Sequence, residues 1–207
     1  MHEEMSERDL NERFALIEAM IAEGRRSTEH WGWVFVLWGV MYAVAVSWAS
    51  WGAGGEMLSG EHSALAWTVT MFAGAGLTLV IGMRRGRGRK ATMLGRAVTS
   101  MWVGIGISML VVFPALGFSG RLGTHSFVAL VAAMLGAANA GSGLILRWKM
   151  QVACAVVWWA AAAAACFGTA AQASMIFLTA VFVCQIVFGV YVMVKESRHA
   201  RGGLAHA

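Results

Sequence analysis

The chain reads as an all-α membrane protein: a polytopic bundle of six transmembrane helices preceded by a cytoplasmic amphipathic helix. Three observations predict this. Of its 207 residues 58% are hydrophobic and only 13% charged, whereas soluble domains run nearer roughly 45–50% apolar and about 25% charged. Six stretches free of Asp, Glu, Lys and Arg lie at 31–52, 64–83, 97–117, 125–146, 150–168 and 173–194, each close to the length that spans a bilayer core. Finally, 15 of the 16 Lys and Arg residues fall in 1–30, 84–96, 147–149 and 195–201, and the alternate loops 53–63, 118–124 and 169–172 hold only Arg121. Basic residues are retained on the cytoplasmic side, so both termini of this multi-pass chain are expected there. The composition excludes a soluble enzyme, a secreted disulfide scaffold and a disordered chain.

Within segment 1–30 a helix is expected over 3–27. Leu10, Phe14, Ile17 and Ile21 recur as one apolar stripe on a helical period. Gly24 should break this helix, and Ser27 or Thr28 can cap the next. The segment carries eight acidic and four basic side chains, which is not the short cationic start of a cleavable signal. Trp31, Trp33 and Trp148 suit the cytoplasmic interface, and Trp48, Trp51 and Trp67 the opposite one. Between the second and third windows runs a basic loop with Arg84, Arg85, Arg87, Arg89 and Lys90. Nucleic-acid binding would need a folded module or interleaved aromatics to present these charges. A topology signal with attraction for anionic headgroups explains them better. The acidic N-terminal helix is therefore expected to fold back near loop 84–96, or to exchange between that site and a partner.

In the third window Ser100, Gly104 and Ser108 fall four apart, with Pro114 near the far end. The fourth pairs Gly136 with Ala140, Ala137 with Gly141 and Asn139 with Gly143. Such spacing lets helix backbones approach closely in lipid. Trp158 and Trp159 fall mid-helix in the fifth window and must pack on neighbours or lipid tails. Cys154, Cys166 and Cys184 all lie in apolar windows without CxxC spacing and read as buried small hydrophobes. Residues 195–207 form a cytoplasmic tail.

The chemistry is defined by what the windows lack. They contain no charged residue, whereas proton relays place ionisable groups inside the membrane. The six His (2, 30, 62, 125, 199 and 206) sit in tails or at helix ends, which disfavours a bis-His haem. No catalytic, cofactor or metal set emerges. Gly141-Ser142-Gly143 looks like the GxSG motif of rhomboid intramembrane proteases, but their activating His on the sixth helix has no counterpart here, and a serine nucleophile requires a nearby base. The remaining polar candidates inside the windows are Asn139, Ser142, Gln151 and Gln185. Asn139 is expected to bond across helices, and Ser142 to be a packing residue.

The segments Trp31–Gly39, Trp102–Ser108, Asn139–Arg147 and Leu16–Glu23 together resemble a family of uncharacterised six-helix bacterial membrane proteins of similar length. The resemblance covers nearly the whole chain and implies a fold and a location. Arg outnumbers Lys by 13 to 3, which also points to a bacterial inner membrane. The expected function is a non-enzymatic scaffold or regulatory partner, binding a cytoplasmic or membrane protein or a second copy through its cytoplasmic helix. The alternative is a small channel or facilitator for a neutral or lipid-like solute. A polar path past Asn139 would favour transport, and a tightly packed interior the scaffold.

Overall fold

In a computed structural model the described residues are 7–29, 31–51, 60–86 and 92–204. They form eight helices: α1 (Glu7–Glu29), α2 (Gly32–Ser50), α3 (Gly60–Gly86), α4 (Met93–Phe118), α5 (Thr124–Ile145), α6 (Lys149–Ala165), α7 (Ala170–Val181) and α8 (Phe188–Leu204). A π-helical segment, Phe182–Val187, joins the last two. Every charge-free window falls on a helix. Five of the helical stretches are long and apolar enough to cross a membrane, and α6, at 17 residues, is shorter. Large apolar side chains such as Val44, Val111, Leu144 and Met175 lie exposed on the outside of the bundle. Water would penalise that surface, whereas lipid accepts it. The chain is a helical membrane protein.

Neighbouring helices run antiparallel. Ser63 at the start of α3 donates to the Ala49 carbonyl at the end of α2. Phe113 late in α4 meets Phe127 early in α5, with ring centroids 5.0 Å apart. The ends of the bundle consequently differ in charge. Arg84, Arg85, Arg96, Arg147, Lys149, Lys195 and Arg198 gather at what we term the basic end, with Arg121 at the far end.

Packing is uneven. α5 and α6 form the closest pair, because α5 presents glycines where α6 presents bulk. A Cβ on Gly143 would stand 2.7 Å from Val152 Cγ2, and one on Gly136 would run into the Trp159 indole. Helices α2 and α8 also meet through glycine: a Cβ on Gly189 would lie 2.8 Å from the Gly32 carbonyl oxygen. The core is held by an aromatic hub at Phe177, which is fully buried. Around it lie Tyr42 at 5.6 Å, Trp67 at 6.2 Å, Phe127 at 6.0 Å and Trp158 at 6.2 Å between ring centroids, one ring each from α2, α3, α5 and α6.

Several local expectations are corrected. Gly24 does not break α1, which runs on to Glu29; the roughly 1 kcal/mol cost of a helical Gly is outweighed by good helix formers around it. Ser27 and Thr28 therefore lie within α1, and α2 starts at Trp31 with no side-chain cap. Trp67 and Trp148 are buried, so protein side chains cover their rings in place of headgroups. Trp158 and Trp159 divide, the first fully buried and the second half-exposed. Cys154 and Cys184 are buried, but Cys166 is exposed at the end of α6. The Ser100–Gly104–Ser108 stripe is exposed, and a Cβ on Gly104 would meet nothing within 4 Å, so it is no helix contact among the described residues. The segment after 194 continues as helix, with α8 running to Leu204.

Candidate functional site

Helices α2, α3, α4 and α5 enclose a cleft of about 2380 Å³. Its walls follow helical geometry. From α3 come Leu65, Thr68, Phe72, Ala75, Leu79 and Gly82, and from α4 Thr92, Gly95, Thr99, Trp102, Gly106, Met109 and Phe113. Both sets alternate steps of three and four, with Thr92 as the N-cap of α4, and Thr78, Val103, Ile105, Ile107 and Leu110 beside them widen each wall beyond one face. Phe35, Trp38 and Tyr42 contribute the α2 wall, and Phe127, Val131 and Leu135 the α5 wall. The cleft runs the length of the bundle, from Arg85, Thr92 and Glu196 at the basic end to His62, Ser63 and Gly120 at the far end. Near that far end α3 approaches α4, with Ala64 Cβ 3.7 Å from where one on Gly117 would stand.

The cleft is apolar for reasons beyond composition. Thr78 and Thr99 turn their hydroxyls back to the Gly74 and Gly95 carbonyls of their own helices, at 2.8 and 2.7 Å, leaving methyl groups on the wall. Charge is confined to the basic end, where the Arg85 guanidinium sits over the Trp33 ring at 5.2 Å. Midway along, Gln185 of the π-helical segment forms part of the wall. It is 2% exposed, and its Oε1 has no hydrogen-bond partner among the described residues. The wide turn is admitted by Gly39, where a Cβ would stand 3.0 Å from Gln185 Cβ and 2.7 Å from Ile186 Cγ1.

The four polar candidates do not converge. Asn139 is fully buried, but its amide donates to the Leu135 carbonyl of its own helix at 2.8 Å and its Oδ1 is unpartnered among the described residues. The expected bond across helices is therefore corrected: the carbonyl one turn back takes the amide N–H instead. Ser142 is the residue that bridges helices, accepting from Trp102 Nε1 at 2.8 Å while donating to the Ala138 carbonyl at 2.7 Å. Neither partner is a base. Gln151 lies buried at the start of α6 with Oε1 unpartnered among the described residues. Only Gln185 reaches the cleft.

The N-terminal helix touches α4 and α8 but leaves its stripe uncovered. Leu10, Phe14 and Ile17 are 37%, 63% and 50% exposed, and Ile21 is partly buried. Arg84 and Arg85 are exposed at the end of α3; Arg87 and Arg89 lie outside the described residues, as does His30. The cleft itself escaped the sequence reading. Its signal was the steps of three and four shared by α3 and α4, along with Phe35, Trp38 and Tyr42 on one face of α2. Comparison of the chain with protein-family models, with curated proteins and with solved structures finds no match.

Proposed function

We propose that this is a six-span membrane protein, with both termini on the cytoplasmic side of a bacterial inner membrane, that takes a lipid-like molecule into the cleft between α2 and α5 in a non-enzymatic role. The cleft carries this reading. Pockets for small molecules hold roughly 300–1,000 Å³, and this one is more than twice the upper figure at about 2380 Å³. Its walls are hydrocarbon and aromatic, so water or an ion would be poorly solvated there. The fully buried Asn139 lines no polar route, which supports a facilitator or receptor for a lipid-like solute over an aqueous pore. The alternation of basic and non-basic connections supports six crossings. The 17 residues of α6 fall at the short end of the roughly 17–25 that span a bilayer.

The test fills the cleft. Gly82 and Gly106 line it, and a Cβ on either meets nothing within 4 Å, so the side chain of Gly106→Trp starts into open space on the cleft wall. Native mass spectrometry of protein extracted in mild detergent should show retained lipid in the parent and loss of it in Gly106→Trp. Equal retention by both would remove the reading.

A second reading is supported by the exposed stripe of α1: a scaffold or regulatory partner that docks another protein, or a second copy, through Leu10, Phe14 and Ile17. Crosslinking in native membranes should then capture a partner that Phe14→Asp loses.

A further inference from the structure

Resting on the lipid-cleft reading, we propose that Gln185 selects the ligand, and that the ligand is a neutral lipid alcohol: a long-chain or polycyclic molecule whose hydroxyl bonds the Gln185 amide. Four observations converge. Gln185 is on the cleft wall, nine-tenths and more buried, with an amide oxygen that lacks a partner among the described residues and is covered as the amide stands, so it meets a ligand once the amide turns inward. It also sits on a π-helical segment, Phe182–Val187, a rare distortion that recurs at functional sites. In a hydrocarbon setting an unmet amide oxygen is costly, and the surrounding threonines cannot relieve it, because Thr78 and Thr99 are committed to their own helices.

Depth narrows the chemistry. Gln185 precedes Lys195, at the basic end, by ten residues, about 15 Å along a helix and so near the middle of a core about 30 Å thick. An ordinary phospholipid offers only methylenes there. A hydroxyl both donates and accepts, and a glutamine amide can turn either atom toward it. A transmembrane helix fits the cleft less well. A helix satisfies its own polar groups, giving Gln185 nothing.

The experiment uses the full chain in liposomes with two photoactivatable diazirine probes, a long-chain alcohol and its methyl ether, which cannot donate. Labelled peptides are mapped by mass spectrometry. In the parent, the alcohol should label the cleft walls roughly tenfold more than the ether, the scale of one buried hydrogen bond. Gln185→Met should reduce alcohol labelling to the ether level and leave ether labelling unchanged. Should that variant fail to fold, the shorter amide of Gln185→Asn should lower alcohol labelling and leave ether labelling unchanged; unchanged alcohol labelling would overturn the role of Gln185. Equal labelling of the cleft by both probes would overturn the role of Gln185 while leaving a lipid cleft intact. Absence of both probes from the cleft, with a dimer in native mass spectrometry, would assign the cleft to a second copy and overturn both proposals.

Discussion

Trp102 and Ser142 join α4 to α5 through one hydrogen bond of 2.8 Å, and this changes what each polar residue is worth. Ser142→Ala leaves the indole N–H without its acceptor, so it should cost about 1 kcal/mol. A thermal unfolding cycle with Trp102→Phe should show the two losses to be non-additive; full additivity would mean the bond contributes nothing. Asn139 behaves oppositely. Its Oδ1 is buried without a partner among the described residues, and replacing an unsatisfied polar group by an apolar one of similar size is neutral or stabilising. Asn139→Leu should therefore hold or raise the melting temperature in detergent, and a clear fall would show that Oδ1 has a partner in the membrane. Sequence alone located both residues and ranked them the wrong way round. What decides between them is which acceptor lies within reach, and that depends on helix rotation rather than on residue type.

Helices were legible where charge ended them and illegible where geometry did. The six windows recovered α2 to α8 because a charged residue inside lipid is expensive, but the π-helical turn at Phe182–Val187 leaves no mark in FVCQIV. Small-residue spacing was a partial guide. It found Gly136 and Gly143, which do face α6, and misled at Gly104, whose side of α4 faces outward; spacing identifies a face without saying what the face meets. The glycine contacts also differ in kind. At Gly189 an added methyl meets the Gly32 backbone oxygen, whereas at Gly136 it meets the half-exposed Trp159 ring. Gly189→Ala should thus cost about 1–3 kcal/mol as two backbones are forced apart. Gly136→Ala should cost less, because an indole at the surface can swing away. Melting temperatures in a common detergent check the order, and the reverse order would show that Trp159 is fixed.

At the scale of the whole molecule, the bundle class was readable from composition and charge, and the cleft was not. Its walls come from four helices, and no linear pattern reports that α3 and α4 stand apart over most of their length. The cleft reading also makes a prediction about stability. Added lipid alcohol should raise the melting temperature of the parent in proportion to occupancy and leave Gly106→Trp unmoved; a rise in both would place the binding elsewhere.

The glycine contact between α2 and α8 also bears on the order of assembly. The α5–α6 hairpin joins partners adjacent in the chain, so little loop entropy opposes it, and it can close as soon as both helices are made. The first apolar helix has to wait: Gly32 and Gly39 find Gly189 and Ile186 only when the end of the chain has been synthesised. Through most of translation the α2 face therefore contacts lipid or an insertion factor instead of its own partner. A ribosome that stops before α7 leaves behind a protein with an unclosed seam along α2.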